Sequence, residues 1–229
     1  MHSITDAMRL LQFGDSVLPV GSFSFSNGIE AAVQQRIVHD VASLRQFVET
    51  ALHQSATSDG IALIDAHRAA CAGDIQRIVR ADRAVFERKF NEEMRTMTLR
   101  MGRKLAEMAV HVAPTSTIAE WLRAIAQHES PGTFPVGMAV VFAARGLAET
   151  AAFAAHQYGV ATMMLSAALR LMRLNYLDAQ RILFEVNALA EAAYSKSARA
   201  TLDDMAGFAP MNDILAAIHV KAHVRMFMN

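Results

Sequence analysis

The sequence predicts an all-α fold in a single domain that spans residues 1–229. Long segments are rich in Ala, Leu, Met, Arg and Glu, which are good helix formers, and proline occurs only five times. No stretch shows a sustained alternation of apolar and polar residues with a period of two, so no strand is predicted. A chain of 229 residues with 53% hydrophobic residues can bury one substantial core. We therefore expect one globular helical domain of about ten helices around two buried central helices.

The first helix is predicted from about Ile4 to Phe13. A loop rich in glycine, serine and proline follows over residues 14–27, and a short helix covers residues 28–35. Asp40 is a typical N-cap for a third helix, whose apolar residues recur at helical spacing.

Further helix starts follow from the same signals. Ser58 or Asp59 is predicted to cap a helix that runs to about Ala70, and residues 73–74 open another. The segment Asn91–Val112 then carries one apolar stripe with charged flanks. The stripe consists of Met94, Met97, Met101, Leu105 and Met108.

The two most apolar helices are predicted between Phe134 and Leu169, where the only formal charges are Arg145 and Glu149. We expect a break near Gly159. Helices that are apolar almost all round belong in the middle of a fold.

Three more helical segments are predicted, of which Tyr176–Tyr194 is amphipathic. Thr115–Gln127 precedes the apolar pair, Tyr176–Tyr194 follows it, and Asp213–His223 is the last predicted helix. The tail, Val224–Asn229, is expected to lie outside the core.

Composition argues against several classes of protein. Lys and Arg total 22 and Asp and Glu total 22, so the chain lacks the positive charge that nucleic acids and anionic membranes attract. No apolar stretch reaches the ~20 residues that a membrane span needs. The single cysteine, Cys71, excludes an internal disulfide and fits a reducing compartment. With no secretory signal at the N-terminus, we expect a soluble cytoplasmic protein without nucleic-acid or membrane partners.

Signatures of catalysis are missing from the sequence. It contains no GxxxxGK[ST], HExxH, CxxC or GxSxG motif, so neither a catalytic residue nor a cofactor is predicted. His219 and His223 are four residues apart and share a helix face, which makes them a weak candidate for a nickel site. The alternative is a solvated or capping pair near a helix C-terminus, and two ligands alone rarely hold a metal.

Residues 10–30 carry the most specific pattern in the chain. They read LLQFGDSVLPVGSFSFSNGIE. This segment resembles LLQLxDSxLPVGxFSHSxGLE of the urease accessory protein UreF family, with Phe25 at the family's usual His.

Three more segments extend the resemblance to the last residue. Residues 95–105 are similar to R-x-x-S-x-x-x-G-R-x-L. The next segment consists of residues 134–142 followed by residues 169–180, and the latter are similar to A-V-R-L-x-P-L-G-Q-x-D-G-Q. Residues 213–229 are similar to D-I-x-x-M-x-H-E followed by R-L-F-x-S. The chain departs from these patterns at Asn175, Tyr176 and Val220.

The resemblance implies an all-α homodimer that is not itself an enzyme. It implies a complex with the scaffold UreD (also called UreH), the GTPase UreG and apo-urease, in which nickel is delivered to urease. The residues that match the family's motifs, and that we expect to contact partners, are Asp15, Ser16, Pro19, Gly21, Phe23, Ser24, Ser26, Glu30, Arg100, Gly102, Arg103, Arg170, Asp178, Gln180, Asp213, His219, Arg225 and Phe227.

The role of the tail remains open between two alternatives. Arg225 and Phe227 are residue types enriched at binding hot spots, so deleting the tail should remove GTPase recruitment and leave stability unchanged. The alternative is that Phe227 folds back into a core groove, in which case the deletion destabilises the fold. Zero net charge and the methionine stripe favour a homodimer.

The alternative function is a small all-α enzyme resembling the haem-oxygenase or thiaminase group. Such an enzyme needs a nucleophile or an axial histidine in a pocket, and the sequence offers neither in a convincing setting. Haem binding or pyrimidine turnover would favour it, whereas a stable complex with a GTPase favours the accessory protein.

Overall fold

A computed structural model describes residues 3–15, 17–207, 214–215 and 226–227. These residues contain eleven α-helices and no strand, so the all-α prediction is confirmed. The helices are α1 (Ile4–Gly14), α2 (Ile29–Gln34), α3 (Val41–Ser55), α4 (Ile61–Ala72), α5 (Ile75–Glu87), α6 (Glu92–Val112), α7 (Ser116–Ala126), α8 (Phe134–Ala144), α9 (Glu149–Leu171), α10 (Tyr176–Asn187) and α11 (Ala190–Ser197). Over this part of the chain, no helix is long and apolar enough to cross a membrane.

Two predicted helix boundaries are wrong. Neither Ser58 nor Asp59 caps a helix, because a π-helical turn, Ala56–Gly60, joins α3 to α4 without a break. The break near Gly159 is also absent, since α9 runs through this glycine. The chain instead turns at residues 145–148, where Gly146 adopts a φ of +70° that other residues reach only with strain. Gly159 within α9 lowers the stability of the helix by about 1 kcal/mol relative to alanine, and the packing of this long helix outweighs that loss.

The core consists of two apolar clusters that α9 connects. In the first cluster α8 packs against α4 and α6, and residues 135–142 of α8 are buried on every side. The second cluster brings α2, α3 and α10 onto the C-terminal half of α9. α8 is thus the buried central helix that its composition predicts, while α9 contributes to both clusters and keeps a narrow exposed stripe that includes Ala154 and Tyr158.

The methionine stripe of α6 faces this core. Met101 and Leu105 are buried, and Met97 and Met108 are half-buried against the first cluster. The stripe is therefore not a free surface, and the interpretation of it as support for a dimer is wrong. A stripe at helical spacing cannot by itself distinguish a core face from a partner face.

A buried carboxylate that sequence reasoning missed fixes the loop before α8. Asp82, on α5, is fully buried and accepts hydrogen bonds from the backbone N–H of Gly132 (2.7 Å) and of Thr133 (2.8 Å). The hydroxyls of Ser130 and Thr133 donate to it at 2.5 Å, and Trp121 Nε1 donates at 3.3 Å. Burial raises the pKa of Asp82 above its usual value, and the hydrogen bonds from Ser130, Thr133 and Gly132 oppose this shift only in part. The network holds residues 130–133 in the conformation from which α8 begins.

Gly102 lets α6 approach the same loop. A Cβ atom at this position would lie 2.1 Å from the carbonyl oxygen of Gly132 and 2.6 Å from the carbonyl carbon of Thr133. Gly102 is buried, so its match to the family motif is explained by close packing and not by an exposed partner contact.

We predict that Gly102→Ala lowers the free energy of unfolding by about 3 kcal/mol, because backbone atoms have to move to admit the methyl group. Gly159→Ala is the matched control, since a Cβ there meets no atom within 4 Å and the substitution should stabilise α9 by about 0.5 to 1 kcal/mol. Urea unfolding of both variants measures the difference. Equal stabilities would contradict the packing role of Gly102.

Candidate functional site

The segment with the most specific pattern forms a loop, residues 15–28, between α1 and α2. Gly21 and Gly28 adopt φ values of +92° and +84°, which favour glycine. Val20 and Phe25 are buried, whereas Phe23 is 72% exposed. The N-terminal loop is thus anchored by some side chains and presents others outward.

The buried carboxylate of Glu30 connects the end of this loop to the end of the chain. Glu30 lies in the first turn of α2, where the helix dipole favours a negative charge, and is only 2% exposed. Its oxygens accept hydrogen bonds from the backbone N–H of Met226 (2.7 Å) and of Phe227 (3.0 Å). Ser26 is also buried, and its Oγ accepts from the backbone N–H of Glu30.

Arg170 joins the loop, the tail and α9. Its guanidinium carbon lies 4.1 Å from the ring centroid of Phe23 and 4.1 Å from that of Phe227. Its Nη2 also donates to the carbonyl oxygen of Phe23 at 3.4 Å. Cation–π contacts of this kind contribute about 0.5 to 2 kcal/mol each, depending on solvation. We call the group formed by Phe23, Glu30, Arg170, Met226 and Phe227 the loop–tail surface.

The expected position of Phe227 outside the core was wrong. The ring is 5% exposed and packs in the second apolar cluster, as the alternative of a folded-back tail requires. The sequence could not indicate this position, because it depends on the buried carboxylate of Glu30, which accepts hydrogen bonds from the backbone of the tail. Removing the tail is therefore expected to destabilise the fold.

Other predicted residues lie on or beside the loop. Asp15 and Pro19 are exposed, and the carboxylate of Asp15 accepts from the backbone N–H of Val17 at 2.9 Å. Ser24 is half-buried in a short 3₁₀ turn, Ser22–Ser24. The ammonium group of Lys104 on α6 lies close to Gly21, so the charged face of α6 borders the loop.

That charged face carries two of the predicted residues. Arg100 and Arg103 are both exposed on α6, and Arg103 pairs with Glu107 at 2.9 Å. An exposed pair of this type contributes little to stability, so Arg103 remains a charged group at the surface.

Asp178 and Gln180 lie apart, on α10. Asn175, which replaces a family glycine, caps α10 by accepting from the backbone N–H of Asp178 at 2.8 Å. Asp178 pairs with Arg181 at 2.9 Å, and Gln180 is exposed. None of the hydrogen bonds, ion pairs or ring contacts described for these two residues reaches the loop–tail surface.

Several predicted residues lie outside the described residues: Ser16, Asp213, His219, Val220, His223 and Arg225. Within the described part, no group of three or more His, Cys, Asp or Glu side chains is arranged to hold a metal ion.

A polar group that sequence reasoning missed lies in the interior near the loop. The imidazole of His156 on α9 is buried, with Nδ1 3.5 Å from Ser55 Oγ. Nearby, Lys89 Nζ contacts both carboxylate oxygens of Asp59 at 2.7 Å in a largely buried ion pair. Burial lowers the pKa of His156 to about 4, although the charge of Asp59 opposes this shift.

We predict that Phe227→Ala lowers the free energy of unfolding by about 3 kcal/mol, because it removes a buried aromatic ring. Met226→Ala is the matched control, since Met226 is 61% exposed and should change stability by less than about 0.5 kcal/mol. Urea unfolding compares the two. A Phe227→Ala protein as stable as the control would show that the tail is not part of the core.

We predict that His156 makes stability depend on pH. Its pKa is about 6.5 in the unfolded chain and about 4 in the fold, so the unfolded state binds more protons between these values. The contribution of His156 to the free energy of unfolding is therefore complete above pH ~6.5 and is lost as the pH falls towards 4. About 2 kcal/mol of stability is lost between pH 7 and pH 5.

Urea unfolding at the two pH values tests this, with His156→Gln expected to lose correspondingly less stability than the natural chain. His39→Gln is the control, because the side chain of His39 is 63% exposed. A pH dependence that is unchanged in His156→Gln would contradict the assignment.

Comparison with known proteins agrees with the sequence resemblance. The UreF family profile matches residues 38–187. Urease accessory protein UreF 2 of Brucella canis is 55% identical over 228 residues, covering 100% of this chain and 94% of its own length. Urease accessory protein UreF of Yersinia pseudotuberculosis serotype IB is 52% identical over 225 residues, covering 98% of this chain and 99% of its own.

The alignment with the Brucella canis relative therefore includes the loop and the tail, which lie outside the residues that the family profile matches, as well as α9 and the central helices. The names of these relatives describe an accessory protein and not a catalyst, which does not favour the enzyme alternative. The chain belongs to the UreF family of urease accessory proteins.

Proposed function

We propose that this chain recruits and regulates the nickel-delivering GTPase UreG on an assembly of UreD/UreH and apo-urease, in the cytoplasm. In this role it enables nickel insertion into urease without catalysing a reaction or holding a cofactor. The family membership supports the urease context, and the resemblance of its motifs implies these partners.

The observation that carries the proposal is the loop–tail surface. Arginine and aromatic side chains are enriched at binding hot spots, and Phe23 and Arg170 supply both types in one stacked group. Phe23 is 72% exposed, although a ring of this size usually packs against other apolar groups. A docking partner would cover it.

The way in which this surface is held favours binding. Buried anchors below the loop and the Glu30 contacts to the tail fix the backbone on both sides of Arg170. A surface that is already ordered loses less conformational entropy when a partner binds. The exposed arginines of α6 would add charge complementarity at the rim, which mainly affects the rate of association.

We predict that Phe23→Ala weakens recruitment of the partner proteins by about tenfold or more while leaving the fold intact, because an exposed ring adds little to stability. Co-expression with the urease subunits and accessory proteins, followed by affinity isolation of this chain, measures recruitment, and urease activity gives a second readout. Val112→Ala is the control, since Val112 is 51% exposed at the far end of α6. Full recruitment by a folded Phe23→Ala protein would contradict the proposal.

The homodimer is also part of the proposed function. With the methionine stripe buried, support for it comes from an open apolar groove beside α1, lined by residues that include Leu11, Tyr158 and Leu189. Ile4, Met8 and Leu11 form an exposed stripe on α1 at helical spacing. A second copy of the chain that docks its own α1 here would cover both features by one two-fold contact.

We predict that Leu11→Asp converts the dimer to a monomer, because it places a charge in an apolar contact. Leu11 is 65% exposed, so the isolated fold should tolerate the change. Light scattering at micromolar concentration reports the mass, with Val112→Asp as the control. A monomeric natural chain, or a dimeric Leu11→Asp protein, would contradict this interface.

A further inference from the structure

A pocket of about 310 Å³ lies beneath the N-terminal loop. Its walls come from the end of α1, the loop, the end of α3, α6, the start of α8 and α9, and they are mainly apolar. The principal apolar side chains are Phe13, Phe25, Met97, Met101, Phe134 and Met138. Sites for small molecules typically have a volume of 300 Å³ or more, an apolar lining and a few convergent polar groups, and this pocket fits that description.

One group of polar side chains in the lining lies together at an end of the pocket. They are the imidazole of His156, the hydroxyl of Ser55 and the ion pair between Lys89 and Asp59. Lys89 contacts both oxygens of Asp59, so the pair is neutral as a unit. His156 is buried and uncharged at neutral pH, and its Nε2 makes no hydrogen bond among the described residues. The end of the pocket thus offers hydrogen bonding without net charge.

Gly159 keeps the pocket open on the α9 side. It lines the pocket, it lies in the middle of an unbroken helix, and a Cβ atom there would meet no heavy atom within 4 Å. Neither backbone conformation nor close packing requires glycine at this position, and glycine destabilises a helix relative to alanine. The absence of a side chain at Gly159 leaves the part of the pocket beside α9 empty.

We propose that the pocket binds a neutral small molecule with an apolar body and one hydrogen-bonding group, which contacts His156 and Ser55. A charged head is disfavoured because Lys89 and Asp59 already pair with each other, and the guanidinium of Arg88, which also lines the pocket, donates to the carbonyl oxygens of Ala84, Leu202 and Met205. Phe23 and Phe90, each 72% exposed, also line the pocket and mark its mouth. The pocket shares Phe23 and Arg170 with the loop–tail surface, but the proposed ligand contacts, His156 and Ser55, do not belong to that surface, and the proposed recruitment of partners does not depend on them.

Three probes with one apolar body test the proposal on the full chain: phenylbutanol, phenylbutyrate and phenylbutylamine. Isothermal titration calorimetry at neutral pH should show phenylbutanol binding, with both ions at least about tenfold weaker because each would bury an unpaired charge. Phenylbutanol should also raise the melting temperature in a concentration-dependent way. Absence of phenylbutanol binding, or tighter binding of either ion, would overturn the proposal.

Two variants locate the site. Gly159→Leu should fill the pocket and abolish phenylbutanol binding, while the gain in helix propensity keeps the melting temperature at or above that of the natural chain. Thr150→Leu adds the same side chain at an exposed position of α9 outside the pocket and should bind as the natural chain does. Equal binding by a folded Gly159→Leu protein would sink the assignment.

A measurement on the natural chain makes the test independent of how the variants fold. In methyl NMR spectra, phenylbutanol should shift the methionine signals of Met97, Met101 and Met138. Met8 and Met226, which are 62% and 61% exposed and do not line the pocket, should stay unchanged. Shifts confined to the exposed methionines would contradict the site.

Discussion

The candidate surface depends on one buried carboxylate. Glu30 is removed from water, and an ionised group without hydrogen-bond donors in such a place costs several kcal/mol. The backbone N–H groups of Met226 and Phe227 provide donors, and the start of α2 adds the favourable end of its dipole. The last residues of the chain are thereby held against the loop that follows α1.

Arg170 turns this internal contact into a surface property. Its guanidinium lies between a buried ring, Phe227, and an exposed ring, Phe23. Loss of the tail contact would remove one face of the stack and leave Arg170 and Phe23 less ordered. The tail therefore contributes to the proposed partner surface through the residues that it positions, even though its own aromatic ring is buried.

The sequence predicted the features that depend on local chemistry. The N-cap at Asp40 is confirmed, because a side chain that caps a helix needs only its neighbours. The all-round burial of α8 follows from its lack of charge between Phe134 and Ala144. Of the candidate site, the loop was recognised by its motif and Arg170 by its match to a second segment.

Features that depend on distant contacts were missed or misplaced. A glycine such as Gly159 can either break a helix or leave room for a pocket beside one. The sequence does not distinguish these two cases, because they depend on the residues that pack around the glycine. The buried positions of Phe227 and Glu30 arise from a contact between residues 197 apart in sequence. Asp82 is likewise explained by residues far along the chain, and composition alone offers no signal for such a network.

Hydrogen exchange of the tail amides tests the central claim most directly, because it measures the contacts of Glu30 themselves. In the natural chain the amides of Met226 and Phe227 should exchange much more slowly than in an unstructured peptide. In Glu30→Ala this protection should be lost, while the amides of α8 stay protected and the exposed control Glu120→Ala changes nothing. Tail amides that exchange freely in the natural chain, or that stay protected in Glu30→Ala, would contradict the account.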